Sequence, residues 1–145
     1  MNHIFIFSFW FALCFNFHSN PNKIQKDADI RLHFSGIKTQ KGEILIAMFN
    51  NETGFPEDGS KAFKTWKFSP ASTITLQNIP PGTYAITLLH DLDNNQKMTF
   101  NLFGIPKDGY SSTPDGGPRF SKPKYKSSLF QHSSKPTDLN LKMHY

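Results

Sequence analysis

The sequence predicts an all-β protein built as one antiparallel β-sandwich of about seven short strands. Three observations predict it. Short runs alternate apolar and polar residues with period two, as in Ile30-Arg31-Leu32-His33-Phe34 and Leu139-Asn140-Leu141-Lys142-Met143. Gly-, Pro- and Asn-rich connections separate those runs. No long stretch carries apolar residues at helical spacing.

In chain order, residues 1–19 hold no Asp, Glu, Lys or Arg, and residues 4–17 are almost wholly apolar. The run stops at His18-Ser19-Asn20-Pro21, short of the about 20 apolar residues that a membrane span needs. A signal peptide over 1–19 is therefore predicted, with export and cleavage, and no transmembrane segment in the mature chain. Cys14, the one cysteine, lies inside this leader behind Leu13, a bulky neighbour that argues against lipid attachment there. The mature chain then has no thiol, which excludes disulfides, thiolate metal sites and cysteine nucleophiles. Residues 20–27 are polar and aperiodic, a tether. Residues 28–145 form the β-sandwich domain, long enough to build one core without covalent staples.

Within that domain, Ile30, Leu32 and Phe34 alternate with Asp29, Arg31 and His33 in the first strand. Residues 42–50 are a nearly continuous apolar run bounded by polar residues, the mark of a central strand. Residues 51–60, with Gly54, Pro56 and Gly59, form a loop, and 61–68 a short turn or helical piece leading into a strand that Ser69-Pro70 ends. Strands at 73–76 and 83–90 flank Asn78-Ile79-Pro80-Pro81-Gly82, which predicts a hairpin-like pair. An Asp/Asn loop, a crossing at 98–101 and a Gly/Pro/Ser-rich stretch over 104–123 follow; irregular segments of that length in a small domain are usually functional. Strands at 127–131 and 139–145 close the chain. The pattern fits a sandwich of immunoglobulin-like or transthyretin-like type.

The formal net charge of +5 belongs wholly to the mature domain, because the leader carries no charged side chain. In an exported protein, periplasmic, outer-membrane-associated or secreted, that charge points away from nucleic acid. It points toward anionic envelope polymers or a lipid surface, with an attraction that salt weakens. The same charge also serves plain solubility.

Three motifs stand in order: Asn78-Ile79-Pro80-Pro81-Gly82-Thr83-Tyr84-Ala85-Ile86; His90-Asp91-Leu92-Asp93-Asn94-Asn95; and Phe103-Gly104-Ile105-Pro106-Lys107-Asp108-Gly109-Tyr110, ahead of a terminal Leu-x-Leu-x-x-x-Tyr strand. Together they resemble an exported bacterial family, domain of unknown function 2141 (DUF2141), over residues 28–145. The resemblance implies an exported β-sandwich of envelope-bearing bacteria and carries over no catalytic residues. In this chain Gln96 stands where the family loop tends to have glycine, and Thr99 where it tends to have aspartate. Both departures weaken a metal site, one by stiffening the turn and one by removing a carboxylate.

Asp91, Asp93 and Asn95 sit at alternate positions, so a curled loop brings their oxygens and the Lys97 carbonyl toward one hard cation, as in the first half of an EF-hand loop. The glutamate that completes such a loop is Leu102 here, leaving Asp108 or backbone carbonyls to finish the shell. The expectation is at most a weak calcium site, with no cofactor required. The competing reading is a set of Asx turns at a strand exit. His90, Asp91 and Asp93 with the 104–110 loop (Gly104 through Tyr110) make an alternative small-ligand or enzyme-like site, with Ser111 or Ser112 as distant nucleophiles. No Gly-x-Ser-x-Gly, His-Glu-x-x-His or paired-glutamate pattern accompanies them, so the chain is read as a non-enzyme. Arg119, Lys122, Lys124 and Lys126 interleave with Phe120 and Tyr125, a pattern that grips anions while offering aromatic faces. With Lys61, Lys64 and Lys67 they form the candidate anionic-partner surface, against a plainer role of lysines guarding a strand edge. Trp66 and Tyr84 are read as core.

Overall fold

The computed structural model describes residues 26–145 apart from Phe120; the leader with Cys14, and the tether up to residue 25, lie outside the described residues. Eight strands follow in order: β1 (Ala28–Ser35), β2 (Glu43–Phe49), β3 (Lys64–Phe68), β4 (Thr73–Ile79), β5 (Gly82–Asp91), β6 (Gly109–Ser112), β7 (Phe130–His132) and β8 (Thr137–Lys142). Single-turn 3-10 helices at Gly59–Lys61 and Tyr125–Ser127 precede β3 and β7.

Two sheets result. One runs β4-β1-β8; the other runs β3-β2-β5-β6, with β7 also paired to β5. β6 bonds the Thr87–His90 half of β5, and β7 bonds the Gly82–Tyr84 half, so two short strands share one edge. The pairing departs from purely antiparallel at one place, where β1 and β8 run parallel from Ile30↔Thr137 to Ser35↔Lys142. Two bonds between Tyr110 and His144, 2.8 and 2.9 Å, join the end of β8 to β6 and so stitch one sheet to the other.

Period-two alternation builds the core between the sheets. Ile30 and Leu32 of β1, Ile74, Leu76 and Ile79 of β4 and Leu141 of β8 meet Ile44, Ile46 and Met48 of β2 and Tyr84, Ile86 and Leu88 of β5. Each such aliphatic side chain, taken wholly out of water, contributes about 1.5–3 kcal/mol. Trp66, Phe68, Phe34, Phe130 and Leu139 pack around the rim as partly buried residues.

Two expectations need correction. The strands flanking Asn78–Gly82 are no hairpin: β4 pairs β1, and β5 pairs β2, in different sheets. Consecutive Pro80 and Pro81 have no N–H to continue a ladder. Asn78 takes φ +54, with its N–H on the Asp29 carboxylate at 3.1 Å, and the Tyr84 hydroxyl donates to the Pro80 carbonyl at 2.9 Å. Those ties carry the chain across the sandwich. The second correction is β6, four residues of Gly-Tyr-Ser-Ser inside the stretch read as irregular, which raises the strand count to eight.

Candidate functional site

Strand β5 sets the site. Tyr84, Ile86 and Leu88 face the core, and the same parity carries His90 inward to zero exposure at the end of the sandwich. Its Nε2 lies 2.8 Å from the Lys41 carbonyl, which only accepts, so Nε2 carries the proton. Nδ1 is then the acceptor for the Tyr145 hydroxyl at 2.6 Å. Burial pushes the Tyr145 phenol up, against a smaller opposing pull from the Lys38 N–H, and the Lys38 ammonium lies 4.5 Å above the ring. Gly42 permits this packing: at φ +77, a Cβ there would stand 2.1 Å from the Asp91 carbonyl oxygen.

Asp91 ends β5 with no exposure, and from there the chain makes an excursion to β6. Its Oδ1 accepts the Asn95 N–H at 3.2 Å and its Oδ2 the Gln96 N–H at 2.7 Å. Asp93 is exposed; its Oδ2 accepts from the Asn95 amide nitrogen at 2.9 Å. Asn95 in turn reaches Thr99 Oγ1 through that nitrogen and takes the Lys97 N–H at 2.7 Å on its own oxygen. Asn94 and Gln96 both lie in the left-handed region, at φ +59 and +61. Gln96 thus turns the chain at a local strain of about 1 kcal/mol.

The residue that closes the loop is Asp108, 1% exposed. Its Oδ1 accepts the Leu92 N–H at 3.0 Å and its Oδ2 the Thr99 N–H at 2.7 Å, so one carboxylate staples the start of the excursion to its middle. One oxygen from each of Asp91, Asp93 and Asp108 lies within 4.8 Å of the others. The carboxylate cluster is therefore Asp91, Asp93 and Asp108. Its buried members hold backbone amides four to sixteen residues away, while the exposed Asp93 and Asn95 make the i to i+2 bonds of Asx turns, to the Asn95 N–H at 3.3 Å and the Lys97 N–H at 2.7 Å.

Between Thr99 and Lys107 the excursion folds into a small two-stranded arm, closed by Lys107 N–H to Thr99 O at 2.8 Å and Asn101 N–H to Ile105 O at 2.9 Å. Phe100, Leu102, Phe103 and Ile105 project from it at 54, 101, 88 and 54% exposure. The sequence reading drew no function from this apolar group; four large apolar residues within six positions of a Gly/Pro turn were the available signal.

His90 and Asp91 are both fully buried. The two best-formed concavities among the described residues lie elsewhere, one of about 510 Å³ lined in part by Lys64, Trp66 and Gln77, the other of about 350 Å³ lined by Glu52, Phe55 and residues 123–126. Ser111 and Ser112 are buried in β6, with Ser111 Oγ donating to the Lys142 carbonyl at 3.0 Å.

In the basic segment, the Tyr125 ring meets Phe55 edge-on at 5.6 Å, and Phe55 meets buried Phe49 at 5.3 Å. Burial, with Glu52 nearby, raises the Tyr125 phenol. The aromatic thus faces inward while Lys124 and Lys126 stay exposed. Lys122 pairs with Glu57 at 2.9 Å, and the Arg119 carbonyl accepts the Tyr110 hydroxyl. Lys64 and Lys67 lie on the edge strand β3, Lys67 paired with Glu43 at 2.6 Å and Lys64 5.2 Å from the Trp66 ring. Among the described residues no helix is long and apolar enough to cross a membrane.

No curated protein and no solved structure matches the chain significantly. The family model described as an uncharacterised protein conserved in bacteria matches residues 32–140. That span takes in β2 through β7, half of β1 and most of β8, and the whole carboxylate-stapled excursion, and the chain belongs to the bacterial family DUF2141.

Proposed function

We propose that the protein is an exported, non-enzymatic binding module of the bacterial cell envelope, periplasmic, outer-membrane-associated or secreted, that engages an anionic partner through Lys124, Lys126 and their neighbours. The supporting observation is the inward-turned Tyr125, which orients the two lysines outward on a segment held to the body through Phe55. Neither ammonium has an acidic partner among the described ion pairs. The enzyme-like alternative at His90 and the 104–110 loop is disfavoured because both His90 ring nitrogens are already engaged.

The test is retention on immobilised acidic polysaccharide and on anionic lipid, across a salt series, for the parent and for the triple variant Lys122→Glu/Lys124→Glu/Lys126→Glu. Salt-sensitive retention that the variant loses supports the reading; equal retention of both overturns it.

A second reading rests on the three converging carboxylates: a weak calcium site, millimolar in class, completed by Asp108. Calorimetric titration compares the parent with Asp93→Ala, because Asp93 is exposed while Asp91 holds the loop backbone. Heat in the parent that is lost in the variant supports calcium. No heat in the parent eliminates it.

A further inference from the structure

The arm at residues 99–107 is apolar outside, and most of its amide donors are bonded within it. Asn101 organises it: its side-chain oxygen accepts the Phe103 N–H at 2.9 Å and the Ile105 N–H at 3.0 Å, and its carbonyl accepts the Gly104 N–H at 3.0 Å. With the Asn101 and Lys107 amides bonded across the arm, every amide donor from 101 to 107 except that of Leu102 is satisfied internally, Pro106 having none. Bonded donors lower the cost of moving the arm into the less hydrated interface of a bilayer, where head groups still offer partners to the open Leu102 N–H.

Shape and charge agree. Leu102 and Phe103 form a convex tip, and a Cβ on Gly104 would meet nothing within 4 Å. Lys97 and Lys107 flank the arm in sequence, exposed, with no acidic partner among the described ion pairs. Of the acids in the excursion, Asp91 and Asp108 are buried on backbone amides, so the exposed charges are Asp93 against two lysines.

We propose that this arm is a membrane-docking finger that seats Leu102 and Phe103 in the interface of an anionic lipid bilayer while Lys97 and Lys107 meet the head groups. The assignment rests on the envelope-binding reading and adds a lipid partner and a second contact point to it.

Flotation with vesicles of phosphatidylglycerol and phosphatidylcholine, compared with phosphatidylcholine alone, tests it on the purified protein. The parent is expected to float with the anionic vesicles. Leu102→Ser/Phe103→Ser is expected to lower the bound fraction at least about tenfold, with an unchanged melting temperature because both side chains are exposed. Lys97→Glu/Lys107→Glu is expected to weaken binding and its salt dependence. On vesicles, Phe103→Trp is expected to add a blue-shifted emission, relative to the parent, that brominated acyl chains quench.

Flotation of the tip variant at the parent level, or an unshifted tip tryptophan, overturns the finger. Flotation that depends on Lys122, Lys124 and Lys126 but not on the tip overturns the finger and leaves the envelope-binding reading standing. A dimer in solution that the tip variant dissociates assigns the tip to a second copy of the chain, and also overturns it.

Discussion

Replacing Asp108 with asparagine should destabilise the protein out of proportion to the change in size. Both carboxylate oxygens accept backbone N–H groups, from Leu92 at 3.0 Å and Thr99 at 2.7 Å, at a site 1% exposed. An asparagine side chain offers one acceptor oxygen and one NH₂. Whichever way it is turned, one amide loses its partner and faces another donor. A hydrogen bond to a charged acceptor is worth about 1.5–3 kcal/mol, and an unsatisfied buried donor costs about 1–3 kcal/mol. Asp108→Asn should therefore cost about 2–4 kcal/mol. At about 0.25 kcal/mol per degree for a domain of this size, the melting temperature falls roughly 8–16 °C. Thermal unfolding followed by circular dichroism measures the loss, and amide hydrogen exchange locates it, with Leu92 or Thr99 losing protection first. A melting temperature within about 2 °C of the parent, or unchanged exchange at both amides, would refute the claim that this carboxylate staples the excursion.

Two further outcomes follow from the same network. Tyr145→Phe removes the hydroxyl that donates to His90 Nδ1 at 2.6 Å and leaves a fully buried acceptor unpaired, so thermal unfolding should show a loss of about 1–3 kcal/mol; an unchanged midpoint would mean that His90 is held by the Lys41 carbonyl alone. Asp138, hydrogen-bonded to Arg31 and His33, has its carboxyl held below the ordinary carboxylate range by the Arg31 bonds first and the His33 bond second. A depressed carboxyl stabilises the fold above its unfolded value and loses that contribution as pH falls through the folded value. The stability gap between the parent and Asp138→Asn should accordingly be present near neutral pH, close in strong acid, and shrink with salt because the group is exposed. A gap constant with pH would contradict it.

Strand positions were legible because one side of each strand is buried and one is not: Ile30/Leu32, Ile44/Ile46/Met48, Ile86/Leu88 and Leu139/Leu141 give the parity directly. The burial of His90 was legible by the same rule, since it continues the row of Leu88. Strand β6 was not, because Gly109-Tyr110-Ser111-Ser112 carries no apolar alternation; it is held by pairing to β5 and by polar bonds such as Ser111 to Lys142 O. Which strands pair was hidden as well. The Asn78–Gly82 turn has hairpin composition, yet the register is decided by Ile79 reaching Ala28 in the other sheet. In the site, Asp91 and Asp93 were readable from spacing. Asp108 was foreseen only as a candidate, because its approach depends on the 99–107 arm folding back. The inward turn of Tyr125 depends on Phe55, a contact across the fold that no local pattern encodes.

The larger sheet ends at one rim on β6 and β7, strands of four and three residues, and at the other on the longer β3. Lys64 and Lys67 stand on that rim, so a second molecule seeking to extend the sheet must bring like charges face to face. Concentrated solutions should accordingly resist fibrillar growth by this route until high ionic strength or lysine acetylation removes the repulsion.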